Sequence, residues 1–145
     1  MHTLREDFME TINMVELKDF IKKHEGLNLK PYACSANKTT IGYGRNLTDN
    51  GITKREAEIL FEHDVAIAKQ DLFKIFNHQV GEFTEGQFIA LVDMMYNLGI
   101  SRFKEFKKMI KAIKAKDWSK AKKEAFDSLW AKQVGTRAKN VINLF

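Results

Sequence analysis

Beyond residue 53 the apolar residues recur at helical spacing almost to the end of the chain, in segments that open on capping signals and close on glycine or short polar breaks. Thr53-Lys54-Arg55-Glu56 is a capping box, in which the Thr hydroxyl and the Glu carboxylate each accept from a backbone N–H that the first helical turn leaves unpaired. The helix it opens keeps its period through Ala57, Leu60, Phe61, Asp64, Val65, Ala68 and Leu72 to about Phe73. A second box, Thr84-Glu85-Gly86-Gln87, opens the most apolar segment, which carries Phe88, Leu91, Val92, Met95 and Leu98 and stops at Gly99. Further helical periods run over 103–115, 118–132 and 136–145.

The first third of the chain reads differently. Val15, Leu17, Phe20 and Ile21 fit one face of a short helix that Gly26 should end, which puts Glu25 at a helix C-terminus. From Leu27 to Gly44 the period shortens to alternation, with Leu29, Tyr32, Thr39, Ile41 and Tyr43 around the turn-forming Ser35-Ala36-Asn37-Lys38, the pattern of a small β-hairpin. Arg45 to Gly51, rich in Asn, Asp and Gly, reads as a loop. There is no internal repeat, and 145 residues suffice for one compact core with a small lobe attached. The expected architecture is α+β and mostly α, within a single domain. Residues 1–14 form an N-terminal extension, 15–52 a hairpin lobe with the first helix, 53–73 a connecting helix and 74–145 a helical bundle lobe.

Composition narrows the function classes. Hydrophobic residues make up 44% and charged residues 30%, which suits a folded helical protein and argues against disorder. The N-terminus mixes acids, bases and apolar residues in its first ten positions, unlike a secretory leader. The most apolar run, Phe88 to Ile100, is broken by Asp93 and Asn97, so no membrane span or insertion is expected. One cysteine, Cys34, makes no internal disulfide, no metal-ligand spacing is present, and neither a metal nor another cofactor is expected. The net charge of +5 favours encounter with a polyanion without choosing which. Its bases lie mainly between Arg102 and Lys139, interleaved with apolar residues as on the solvated faces of amphipathic helices, and no nucleic-acid recognition motif accompanies them.

Two short motifs carry the chemistry, His24-Glu25-Gly26-Leu27 and Thr40-Ile41-Gly42-Tyr43-Gly44. Glu25, Cys34 and Thr40 are separated by eight and then five residues. At these positions the sequence resembles glycoside hydrolase family 24, the phage lysozymes of the T-even type, whose members carry Glu, then Asp or Cys, then Thr at the same two gaps. The resemblance continues through Gly51-Ile52-Thr53, Glu56-Ala57, Ala90-Leu91, Met94, Tyr96-Asn97-Leu98-Gly99, Trp118, Trp130 and Arg137-Ala138, leaving out only the first dozen residues.

The resemblance implies a lysozyme-like fold and a muramidase, an endolysin that hydrolyses the β-1,4 bond between N-acetylmuramic acid and N-acetylglucosamine in peptidoglycan. Such a reaction needs an acid to protonate the leaving oxygen and a second group to activate water or attack the anomeric carbon. By the resemblance Glu25 is the general acid, Cys34 stands where most members have the catalytic Asp, and Thr40 helps hold the water. Gly44, Tyr96, Asn97 and Met109 match saccharide-contacting positions, core packing being the other reading of Tyr96 and Met109. Arg137 matches an arginine that tunes the acid, since a nearby cation lowers a carboxyl pKa while burial raises it. His24 is read as a structural or surface histidine. A thiol is a poor base until it ionises, so Cys34 is open to three roles: base, nucleophile or structural residue.

The loop after the hairpin is shorter than in the T-even enzymes, and Arg45 stands where they have His. An ion pair between Arg45 and Asp64 is expected by the same resemblance. The implied setting is phage-mediated host lysis or wall penetration. The chain would be made in the host cytoplasm, reach the glycan strand through a separate holin or as part of a virion, and work as a monomer. The other function class open to such a chain is a peptidoglycan-binding lysis-accessory module whose turnover is weakened at Cys34.

Overall fold

The computed structural model describes residues 3, 5, 6, 9 and 13–145, so most of the expected N-terminal extension lies outside the described residues. The chain divides into two compact units, Met1–Glu56 and Ala57–Phe145, and the boundary falls near the start of the long helix.

In the first unit, helix α1 spans Met14–Glu25. None of its residues is buried, so its ends matter to its stability. The Asn13 side chain accepts from the backbone N–H of Glu16 at 3.1 Å, and Lys22, Lys23 and His24 occupy the last turn, where positive charge suits the helix dipole. Gly26 closes the helix at φ +69°, donating its N–H to the carbonyl of Lys22 at 2.9 Å. Three antiparallel strands come next, in the order β1 (Asn28–Ala33), β2 (Thr39–Gly42), β3 (Arg45–Asn46). The register pairs Tyr32 with Thr40 and Ile41 with Arg45. The β1–β2 register shifts between Asn28 and Tyr32. Pro31, the only proline of the chain, lies in that stretch of an edge strand, where its missing N–H is tolerated.

The expected loop at residues 45–51 is instead strand β3 followed by a one-turn helix, α2 (Leu47–Asn50). The polar side chains that read as loop signals provide its caps and ties. Asn46 accepts from the N–H of Asp49 at 3.0 Å, Thr48 accepts from the N–H of Thr39 at 2.9 Å, and Lys38 pairs with Asp49 at 3.1 Å.

The long helix α3 (Lys54–Phe76) starts at the expected capping box: Thr53 accepts from the N–H of Glu56 at 3.1 Å, and Glu56 accepts from that of Thr53 at 2.9 Å. It runs to Phe76 rather than Phe73, because Ile75 and Phe76 add to its buried face. A 3₁₀ segment (Asn77–Glu82) leads to α4 (Glu85–Leu98), where both bonds of the Thr84–Gln87 capping box form. Five shorter helices complete the second unit: α5 (Ile100–Phe103), α6 (Lys107–Lys114), α7 (Trp118–Phe126), α8 (Leu129–Val134) and α9 (Thr136–Ile142). The helical period expected over 118–132 is split because Ser128 caps α8, accepting from the N–H of Ala131 while donating to the carbonyl of Ala125.

These helices enclose one core. Leu72, Leu91, Met94, Met95, Phe103, Met109, Ile113 and Ile142 are its largest fully buried side chains. Each contributes roughly 1.5–3 kcal/mol relative to exposure. Phe83, Trp118 and Phe145 extend the core outward through edge-to-face pairs with centroids 5.4 and 5.7 Å apart.

Candidate active site

Glu25 is the last residue of α1, and the hairpin beyond it brings the chain back alongside its carboxylate. The β2–β3 connection, Gly42-Tyr43-Gly44, turns on two glycines with positive φ, +68° and +77°. The Glu25 carboxylate lies directly against Gly44: a Cβ added there would stand 2.8 Å from Glu25 Cδ and closer still to Oε2. Gly44 suits this backbone conformation, and a side chain there would displace the flexible end of Glu25 from its place. Lys22, one turn before Glu25, sits over the Tyr43 ring at 5.0 Å from its centroid, a cation–π contact that ties the helix end to the same turn. His24 bonds the carbonyl of Phe20 through Nδ1 at 2.8 Å and packs on the Phe20 ring, so it is engaged within its own helix.

Cys34 and Thr40 come together at the turn end of the β1–β2 hairpin. The Cys34 N–H donates to the Lys38 carbonyl, and the Asn37 N–H donates to the Cys34 carbonyl. Asn37 itself takes φ +57°, a conformation its residue type tolerates. This tight turn directs the backbone N–H groups of Lys38 and then Ala36 toward the Cys34 sulfur. They lower its pKa below the ordinary thiol value, desolvation opposes them, and the Thr40 hydroxyl adds to the lowering. Thr40 is 4% exposed and donates to the Lys38 carbonyl at 3.1 Å. Once ionised, a thiol held beside a fixed hydroxyl can accept a proton or attack an electrophilic carbon.

Arg45, at the start of β3, pairs with Glu56, and the expected Arg45–Asp64 pair is corrected accordingly. Its Nη1 donates to Glu56 Oε1 at 2.7 Å and to the Gly51 carbonyl at 3.3 Å. The capping box explains the choice. Thr53 already fixes the Glu56 carboxylate at the start of α3, and the Arg45 guanidinium foremost, then Thr53, pull its pKa down to about 2.

The remaining candidates belong to the second unit. Tyr96 is 42% exposed and packs edge-on against Phe61. The Asn97 side-chain oxygen accepts from Trp130 Nε1 at 2.8 Å and so satisfies the indole of a residue only 5% exposed. Met109 is 1% exposed, a core side chain whose edge meets an open cavity of about 800 Å³ shared with Phe106, Trp130, Lys108 and Glu124. Arg137 is held by Asp93 through two bonds, Nε to Oδ2 at 3.1 Å and Nη2 to Oδ1 at 2.8 Å, and this partner raises its pKa. Asp93 and Trp130 were not among the expected site residues. Asp93 did stand out as a charge interrupting the most apolar helix. Among the described residues no group of three or more His, Cys, Asp and Glu side chains is gathered as a metal site would be.

Comparison with known proteins adds the chain's relatives to this geometry. A phage lysozyme family model matches residues 22–143, a range that contains every candidate above. A probable T4-type lysozyme 2 of Dictyostelium discoideum is 29% identical, over 89% of this chain and 92% of its own length. An endolysin of Acyrthosiphon pisum secondary endosymbiont phage 1 is 32% identical, over 81% of this chain and 80% of its own. The pre-baseplate central spike protein of Enterobacteria phage T4 is 30% identical over 88% of this chain, which spans 27% of that relative's length.

Proposed function

From the premise that the chain belongs to the phage lysozyme family, and so is a glycoside hydrolase of peptidoglycan, we propose that it cleaves the β-1,4 bond between N-acetylmuramic acid and N-acetylglucosamine with Glu25 as general acid. The observation that carries this reading is the seat of Glu25: it ends a capped helix, and its carboxylate rests against Gly44 of the β2–β3 turn. In the reaction Glu25 gives its proton to the glycosidic oxygen as the bond to the anomeric carbon breaks. The Cys34 thiolate takes the proton of a water held by the Thr40 hydroxyl, and that water's oxygen bonds to the anomeric carbon. The lowered thiol pKa and the buried, oriented Thr40 support these roles. Tyr96, the most accessible aromatic among the candidates of the second unit, contacts the sugar. Asn97 holds Trp130, Met109 backs the cavity wall, and Arg137, oriented by Asp93, acts as an accessory to the acid.

The setting proposed is phage-mediated lysis or wall penetration by a monomer made in the host cytoplasm. Among the described residues no helix is long and apolar enough to cross a membrane. The proposed route to the wall is a separate holin or, as the similarity to a spike protein suggests, delivery within a virion. The test is release of reducing ends from purified peptidoglycan, with the anomeric form of the first product recorded. Glu25→Gln should abolish release while leaving thermal unfolding unchanged. Release at the parental rate by Glu25→Gln would reject the mechanism. A parent that binds walls without cutting them would make the chain a lysis-accessory module instead.

A further inference from the structure

The positive charge of this protein is concentrated in one helical hairpin. Residues 107–126, which form α6 and α7, hold eight lysines against two acids, a net +6 in a chain whose total is +5. On α6, Lys107, Lys111 and Lys114 recur at four- and three-residue steps, so they line one side of the helix over about 10 Å. Lys108 lies beside them, and all four are exposed. None of the four forms an ion pair among the described residues; the pairs of this unit are Lys74–Asp71, Lys116–Glu82 and Arg137–Asp93. The other side of α6 is committed to the core, with Met109 at 1%, Ala112 at 4% and Ile113 at 0% exposure.

We propose that this lysine line docks the protein onto a linear phosphodiester polymer of the cell envelope, a polyol-phosphate chain attached to the peptidoglycan. The proposal rests on the cell-wall reading above. A row of unpaired like charges fits a linear polyanion, whose phosphates relieve the repulsion between them. A bilayer surface fits less well, because an interfacial helix inserts its apolar face and that of α6 is already buried in the core. Nor does α6 carry an aromatic side chain on which a nucleobase could stack. Capture on the polymer would hold the enzyme beside its glycan substrate while leaving it free to move along the wall.

The test is cosedimentation of the full chain with purified walls, before and after chemical removal of their phosphate polymer, over a range of salt. Lys111→Gln/Lys114→Gln is compared with the parent and with Lys30→Gln/Lys54→Gln, a control of equal charge. Affinity for native walls should fall linearly on a log–log plot against salt. With the nucleic-acid value of roughly 0.7–0.9 per phosphate contact as the upper bound, the Lys111/Lys114 variant should lose up to about 1.5 from that slope and up to about 30-fold in affinity near 0.1 M salt. The control should lose much less, and stripped walls should hold all three proteins equally weakly. Reducing-end release from stripped peptidoglycan, unchanged in the variants, reports the hydrolase reading separately. Equal binding to native and stripped walls would overturn the proposal. So would equal losses in the two variants, or a loss seen only with anionic phospholipid vesicles.

Discussion

The two glycines of the β2–β3 turn allow the position of the acid to be separated from the stability of the fold. Gly42 and Gly44 both have positive φ, +68° and +77°, where an alanine is strained by at least about 1–2 kcal/mol. For a chain of this size that lowers Tm by roughly 2–8 °C. The surroundings differ. A Cβ at position 42 meets nothing within 4 Å, whereas at position 44 it stands 2.8 Å from Glu25 Cδ. Carbon atoms pack at about 3.5–4.0 Å, so the carboxylate must retreat by roughly 1 Å. A misplacement of that size costs on the order of 100-fold in rate when the group must meet a reacting atom. Gly42→Ala and Gly44→Ala should therefore unfold at similar temperatures, while initial rates of reducing-end release fall about 100-fold in Gly44→Ala and little in Gly42→Ala. Rates within twofold of each other, at matched stability, would show that the contact between Glu25 and Gly44 has no part in catalysis.

Other substitutions address the remaining contacts. Asn97→Ala strands the buried indole N–H of Trp130 and should cost about 1–3 kcal/mol in thermal or urea unfolding, whereas Asn97→Asp, which keeps the acceptor, should stay near the parent. Glu56 has its pKa lowered from 4.5 to about 2, so its contribution to stability is complete above about pH 4.5 and is lost as pH falls through 2; the Tm gap between the parent and Glu56→Gln at pH 6 should close by pH 2, and a gap that persists there would rule out the charge as its source. Cys34→Asp should retain substantial activity and Cys34→Ala lose most of it. The parent's rate should rise with pH up to a midpoint below the free thiol's, and a thiol-alkylating reagent should inhibit the parent but spare Cys34→Asp; full activity in Cys34→Ala would make the residue structural.

What could be read from the sequence depends on the range of each signal. A capping box acts within four residues, so the starts of α3 and α4 were legible at Thr53 and Thr84, as were the stops at Gly26 and Gly99. Asn46, Thr48 and Asp49 look the same in a loop as in a capped turn. Only their partners, including Lys38 and Thr39 across the sheet, show that they build α2. Choice among distant partners was hidden for the same reason. Of the carboxylates that follow Arg45, Asp64 was the one expected, and Glu56 binds it because Thr53 has already placed that carboxylate. Asp93 and Arg137 lie 44 residues apart, and no local pattern joins them. Met109 shows the limit within a single helix. Its spacing fits either the core or a sugar contact, and its 1% exposure puts the side chain in the core. Glu25 and Gly44 are the reverse case, because both were named without their connection, and in the structure the acid lies against the glycine. The hairpin that returns the chain to the end of α1 makes that contact, across 19 residues that no local pattern joins.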